Sequence, residues 1–434
     1  MTSDDLLARH RAVMPSWMPI YYEEPLELVS GKGRRVTGAD GREYLDFFGG
    51  VLTNMIGYDI PEITDPVRRQ LDTGIVHTST LYLIRQQVEL AEKIARLSGI
   101  PDAKVFFTNS GTEANETALL LATAYRRSNQ ILAVRNSYHG RTYATMGITG
   151  HRSWSASSLN PLNVTFLHSG DRLRGLLAHL DDDAHIDAAV ADLREVLATS
   201  TAGDVAALIA EPIQGVGGFV SAPDGLFGAY RKVLDETGIL FISDEVQTGW
   251  GRTGEHFWGY QAHGVTPDLL TFAKGIGNGF ALAGVVGRAD VLDAIDVVSF
   301  STFGGNPVSA AAGNAVVDYV LNNDLQANAA RTGAILHEGL AARTKDLGIV
   351  GEVRGKGLMI GIELIEPGTT RPNSYATVRV FEECRRLGLL VGKGGLYGNT
   401  LRMGPPLTLT DDEAREGLDI LVEALTIVDG EVQA

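Results

Sequence analysis

Ile239-Leu-Phe-Ile-Ser-Asp244-Glu-Val-Gln247-Thr-Gly-Trp-Gly-Arg-Thr253, followed by Pro267-Asp-Leu-Leu-Thr-Phe-Ala-Lys274-Gly-Ile-Gly-Asn-Gly279, decides the architecture. Each stretch opens on a short apolar run of β type. The first run ends in a carboxylate and the second in an amine followed by glycines. Similar runs occur at Lys104-Val-Phe-Phe-Thr, Ile131-Leu-Ala-Val, Val164-Thr-Phe-Leu, Val205-Ala-Ala-Leu-Ile-Ala and Leu282-Ala-Gly-Val-Val. Short, nearly all-apolar strands are buried on both faces, which predicts a largely parallel seven-stranded sheet covered by helices. Helical periodicity fills the gaps, as over Thr112–Tyr125 and Gly225–Leu234. An α/β domain over residues 61–309 follows.

The two ends have a different pattern. Leu26-Glu-Leu-Val, Gly33-Arg-Arg-Val and Glu43-Tyr-Leu-Asp-Phe, separated by turn signals, predict an antiparallel ribbon within residues 1–60. Residues 310–434 alternate helix and strand in an α+β pattern, so a smaller domain is expected from both chain ends. Segment 171–204, with Asp181-Asp-Asp-Ala-His, reads as an exposed helical insertion with a solvated charged face.

Bulk properties narrow the function. With 434 residues the chain has ample length for a large core. A net charge of −16 disfavours nucleic acid and anionic membranes as partners. Cys384 is the single cysteine, which excludes an intrachain disulfide and a cysteine metal site, and no metal is expected. The first residues lack an apolar core, and no run reaches membrane-spanning length, so a cytoplasmic location is expected.

Polar clusters end five of the runs: Thr108-Asn-Ser110-Gly111-Thr112-Glu, Ser137-Tyr138-His139-Gly, Glu211-Pro-Ile-Gln-Gly, Asp244-Glu-Val-Gln247 and Lys274-Gly. Open α/β sheets bind ligands outside the carboxyl ends of their strands, which makes this series a candidate site. An amine and a carboxylate placed this way meet the needs of pyridoxal phosphate (PLP). The amine forms a Schiff base with the cofactor, and the carboxylate keeps the pyridine nitrogen protonated. Ser110-Gly111-Thr112 opens a helix and offers a phosphate cradle, although Ser110 or Thr112 serves equally as an ordinary N-cap. Tyr138 can lie against a planar cofactor or in a core. His139 suits catalysis and a supporting hydrogen bond alike. Gly275-Ile-Gly-Asn-Gly, Gly355-Lys-Gly-Leu-Met-Ile-Gly and Gly392-Lys-Gly-Gly-Leu-Tyr-Gly do not form a dinucleotide fingerprint, no Walker A sequence is present, and tight turns are the expected reading of all three.

From about residue 20 to its end the chain resembles the class III (ω-type) aminotransferases of PLP fold type I. The carriers are Ser243-Asp-Glu-Val-Gln-Thr-Gly-Trp-Gly-Arg-Thr-Gly, Pro267-Asp through Ala273-Lys-Gly-Ile-Gly-Asn-Gly, and Thr302-Phe-Gly-Gly-Asn-Pro. Within the class it is most similar to the alanine–glyoxylate (type 2) and β-aminoisobutyrate–pyruvate branch, through Glu211-Pro-Ile-Gln-Gly-Val, His256-Phe-Trp-Gly-Tyr-Gln and Gly388-Leu-Leu-Val-Gly-Lys-Gly. The resemblance implies amino transfer between small amino and oxo acids, with Lys274 as the Schiff-base lysine and Asp244 as the pyridinium partner. It places Gln247 near the ring hydroxyl, Gly111 and Thr112 on the phosphate and Tyr138 on the ring face. Ser110, His139 and Glu211 complete the cofactor set. Thr302 is expected on the phosphate of a neighbouring subunit, which makes a homodimer, or a tetramer of such pairs, part of the site. Arg402 is expected to clamp the substrate carboxylate, with a structural ion pair as the alternative. Relatives using γ- or δ-amino donors with 2-oxoglutarate often carry glutamate after Pro-Ile-Gln-Gly, where this chain has Val216. Gly57-Tyr-Asp-Ile-Pro61 also departs from the Gly-His-x-His-Pro of many relatives. A decarboxylase or racemase of the same class would share every cofactor residue. An NAD enzyme lacks its fingerprint here, and a non-catalytic descendant would not need Lys274, Asp244 and Arg402 together.

Overall fold

The computed structural model describes residues 3–433. The central sheet contains β1 (Ala103–Thr108), β2 (Gln130–Val134), β3 (Asn163–Leu167), β4 (Ala207–Ala210), β5 (Leu240–Asp244), β6 (Leu269–Phe272) and β7 (Ala283–Arg288). Their spatial order is β1-β7-β6-β5-β4-β2-β3. β7 runs antiparallel to β1 and β6, and the other pairings in the sheet are parallel. Every residue of β2, β4, β5 and β6 is buried, as all-apolar runs demand.

Alternating side chains feed two layers of core. Ile131, Ile209 and Ile242 pack with Ala114, Ala118 and Leu121 of α1 (Gly111–Arg126) on one face. Leu132, Leu208 and Phe241 face the other way, against Ala189 and Leu193 of α2 (Asp182–Thr199) and Tyr230 and Leu234 of α3 (Leu226–Thr237). Each leucine, isoleucine and phenylalanine among them contributes about 1.5–3 kcal/mol by leaving water. The segment around Asp181 is therefore part of the layered fold and not an exposed insertion. Its acids start α2: Asp181 accepts from the Ala184 amide and caps the helix, and Asp182 and Asp183 sit in the first turn, where the helix dipole favours them.

Strands from the two chain ends meet in one sheet. Strands Leu28–Lys32, Arg35–Gly38 and Glu43–Asp46 form an antiparallel ribbon, and Leu389–Leu390 adds to it in parallel. A second antiparallel sheet runs Val350–Lys356, Met359–Leu364, Thr400–Met403, Gly392–Gly394. It packs under helices Leu325–Thr344 and Ser374–Leu387, and helix Asp411–Gln433 packs against both of these helices. One apolar core, with Phe47, Phe272, Ile276, Ile362 and Leu421, runs from the large sheet into this domain. That continuity fixes the strand carrying Arg402 against the ends of the central sheet. No helix among the described residues is long and apolar enough to cross a membrane.

Candidate active site

Beyond the carboxyl ends of β1, β2, β4, β5 and β6 lies a cavity of about 680 Å³. Ser110, Gly111, Thr112, Tyr138, His139, Glu211, Asp244, Gln247, Lys274 and Arg402 all line it. Thr302 does not. It is exposed on the loop before helix Pro307–Asn322 and contributes nothing to the cavity of its own chain. Tyr58 is also outside the lining. Its hydroxyl donates to Asp46 at 2.6 Å, so the Gly57–Pro61 departure is occupied by packing in the N-terminal ribbon.

Asp244 ends β5, held in register between β4 and β6. Its Oδ2 accepts from Asn115 Nδ2 and lies against His139 Nδ1, each at 2.8 Å, and its Oδ1 accepts from the Val246 amide at 3.1 Å. Asn115 is fixed in turn by the Thr271 hydroxyl, which donates to its Oδ1 at 2.8 Å, and by its own bond to the His139 carbonyl. This lattice leaves the carboxylate one orientation. His139 is thus a positioning residue for Asp244, while its Nε2 is buried without a partner. The adjacent Glu245 is structural. It collects the Thr248 and Ser243 hydroxyls and the Gly259 and Tyr260 amides.

Lys274 follows β6 in a short 3₁₀ turn with φ +51, a left-handed conformation that a side-chain-bearing residue adopts at a cost. Gly275 behind it leaves no room for a Cβ, which would lie 2.7 Å from the Met55 sulfur. Burial pushes the Lys274 amine down to about 8, with Asp244 and Glu211 opposing the shift and Arg402 adding to it. Such an amine is roughly one-tenth neutral and nucleophilic at pH 7, far more than an ordinary lysine.

The remaining walls are built for an anion and a flat ring. Ser110 caps α1, its hydroxyl accepting from the Glu113 amide at 3.2 Å, so the capping role is real. The first-turn amides of Gly111 and Thr112 stay free of the helical ladder and face the cavity as an anion cradle. The Tyr138 ring meets Trp154 edge-on, with centroids 5.1 Å apart. Glu211 receives the Tyr138 and Gly215 amides, each at 2.8 Å. Burial holds its carboxyl well above the usual range, with His139 opposing. It fixes two loops and acts as a positioning residue. Gln247 crosses directly over Gly215, where any Cβ would fall 2.1 Å from its amide nitrogen, and its Oε1 is buried without a partner.

Arg402 is buried with no carboxylate partner among the described residues. The structural ion pair is therefore not formed. Its guanidinium donates to the Gly215 carbonyl at 3.0 Å and twice to the Lys393 carbonyl, at 3.1 and 3.2 Å.

An amine, a carboxylate, an amide cradle, an aromatic wall and two unpaired polar atoms, His139 Nε2 and Gln247 Oε1, fit PLP in donor type and arrangement. The family model for aminotransferase class-III matches residues 21–425. The chain belongs to the class III aminotransferases. It is a PLP-dependent transferase. Among curated proteins, this class III enzyme is 40% identical to alanine–glyoxylate aminotransferase 2 homolog 2, mitochondrial, of Arabidopsis thaliana, over 98% of this chain and 87% of that one. It is 37% identical to 5-aminovalerate aminotransferase of Pseudomonas putida, over 97% and 98% of the two chains. A solved amine transaminase from an uncultivated Pseudomonas species, in its PLP-bound form, superposes with a TM-score of 0.88 at 32% identity. It covers 96% of this chain and 98% of that one.

Asn115, Trp154 and Tyr21 line the aminotransferase cavity without having been singled out from sequence. Asn115 had a legible signal, a polar residue on the otherwise Ala/Leu buried face of α1. Tyr21, stacked on Phe48 at 5.5 Å and facing Arg402, comes from a segment with no local sign of a site.

Proposed function

We propose that this aminotransferase moves an amino group from a small α- or β-amino acid, of the alanine or β-aminoisobutyrate type, to glyoxylate or pyruvate. The observation that carries this reading is the pairing of Arg402 with Val216. When bound, PLP would supply an electron sink for the charge that develops at the substrate's amine-bearing carbon. Lys274 Nζ would take up the proton from the substrate's amine-bearing carbon, and its depressed basicity suits that transfer near neutral pH. Asp244 keeps the pyridine nitrogen cationic, with Asn115 and His139 holding its oxygens in place. Gly111 and Thr112 would hold the phosphate, Gln247 would approach the ring hydroxyl, and Tyr138 would cover the ring.

A guanidinium has five N–H donors. Three bonds of Arg402 go to main-chain carbonyls, and the two N–H groups left over are open to a substrate carboxylate beside the Tyr21 hydroxyl, which also bonds the guanidinium. Val216, beside it in the wall, cannot neutralise that charge. Both half-reactions should then present a carboxylate close to the reacting carbon. A donor without one leaves a buried charge unmet, at about 2–5 kcal/mol. The expected order of kcat/KM is alanine–glyoxylate and β-aminoisobutyrate–pyruvate well above ornithine–2-oxoglutarate and 4-aminobutyrate–2-oxoglutarate. The similarity to a 5-aminovalerate aminotransferase favours a second reading, a longer ω-amino donor with 2-oxoglutarate. A clear win for ornithine or 5-aminovalerate in the same assay would replace the first reading with the second.

We also propose a homodimer with shared sites. Leu81, Tyr82 and Leu83 are 72%, 71% and 98% exposed, and Val298 and Phe303, on either side of Thr302, are 91% and 59% exposed. Apolar surface of this kind calls for a covering partner, and a C2 pair would supply one. Light scattering should show a dimer or a dimer of dimers; an active monomer would contradict this.

A further inference from the structure

Gly392-Lys393-Gly394 is not a turn but a strand, paired antiparallel with Thr400–Met403 so that Gly392 lies opposite Arg402 and Gly394 opposite Thr400. Residues two apart on a strand share a face, so side chains at 392 and 394 would both project beside Arg402. Neither position has one. The Arg402 side chain lies in the vacant track: a Cβ on Gly394 would sit 2.5 Å from its Nε and 2.9 Å from its Cδ. A Cβ on Gly392 would sit 2.1 Å from the Phe48 ring. That ring and the Phe219 ring flank the guanidinium at 5.8 and 5.7 Å, and the Lys393 carbonyl between the glycines takes two of its hydrogen bonds. Neither glycine has positive φ, so the backbone does not require glycine here; Arg402 requires it at 394, and the Phe48 ring that flanks Arg402 requires it at 392.

We propose that Gly392 and Gly394 form a side-chain-free trough that holds Arg402 in a single position, which makes a substrate carboxylate obligatory and excludes simple amines as donors. This rests on the reading that Arg402 receives the carboxylate. A cation tied to three carbonyl bonds and enclosed by two rings has no second place to go when the ligand lacks an anion.

Isopropylamine is alanine with a methyl group in place of the carboxylate, so it tests charge at nearly constant size. Its kcat/KM with glyoxylate as acceptor should be lower than that of alanine by more than about thirtyfold, the scale of a lost charge-assisted contact. A smaller ratio overturns the proposal. In Gly394→Ala, KM for alanine should rise by about tenfold or more while kcat stays within about threefold, as expected for lost ground-state and transition-state binding alike. Propionate affinity, read by calorimetry on the PLP-loaded protein, should fall by a similar factor. Unchanged KM and propionate affinity in folded Gly394→Ala would refute the trough. Should that variant fail to fold, Gly392→Ala, which displaces Phe48, carries the same expectation and the same refutation. Arg402→Lys separates the two levels. Propionate binding unaltered in Arg402→Lys means that the carboxylate reading itself is wrong. Binding lost there but kept in both glycine variants means that only the trough is wrong.

Discussion

Lys274→Ala should lose the visible absorbance band of lysine-linked cofactor and should lower the rate of amino transfer by on the order of 10⁴-fold, since nucleophile and proton carrier vanish together. The loss should not be one of folding. The side chain points into a cavity, its removal deletes a buried amine held below its ordinary basicity, and the glycine turn behind it stays intact. The amide cradle at Gly111 and Thr112 and the lattice around Asp244 do not involve Lys274, so PLP should still bind without a covalent link. Spectra, bound-PLP assays and alanine–glyoxylate rates on one preparation separate these effects. Transamination retained in this variant would remove Lys274 from its assigned role.

Asp244→Asn is expected to have the next largest effect, a loss of about 10²–10³ in rate, the scale of removing one preorganised charge from a buried site. The geometry adds a reason beyond the charge. Asn115 Nδ2 and the Val246 amide both donate toward Asp244, and His139 Nδ1 lies at hydrogen-bond distance as well. An asparagine amide offers one acceptor atom where the carboxylate offers two, so its NH₂ must oppose one of these donors. Melting temperature and PLP content should stay close to those of the parent enzyme while the rate falls. A variant within about twofold of the parent rate would make Asp244 a structural residue.

The sheet was legible because β2, β4, β5 and β6 are buried on both faces, and burial on both faces leaves an uninterrupted apolar run in the chain. The direction of β7 could also have been inferred. The connection from Phe272 to Ala283 is shorter than a parallel crossover between neighbouring strands requires. The charged start of α2 misled because Asp181, Asp182 and Asp183 mark a helix N-terminus, while the buried Ala189 and Leu193 that dock it follow later. Most of the candidate site was legible for a single reason: its residues follow strand ends, where short sequence motifs keep their spacing in space. Residues that reach the cavity, or pack around Arg402, from elsewhere had no such signal. Tyr21 and Phe48 come from the N-terminal segment and Phe219 from the hairpin after Glu211, and they meet around Arg402 only through the tertiary fold. Gly392-Lys-Gly-Gly-Leu-Tyr-Gly makes its turn at 395–398, but its first three residues misled in the opposite way. Gly392 and Gly394 look like turn residues, but a neighbour's side chain, not the backbone, requires them to lack a Cβ.

Treatment of the holoenzyme with borohydride, proteolysis and mass mapping of the pyridoxyl group tests the attachment on which every assigned role depends. The expected result is one modified peptide, Pro267–Gly279 or a longer fragment containing it, with the added mass on Lys274. A pyridoxyl group on any other lysine, with Lys274 unmodified, would contradict the whole assignment.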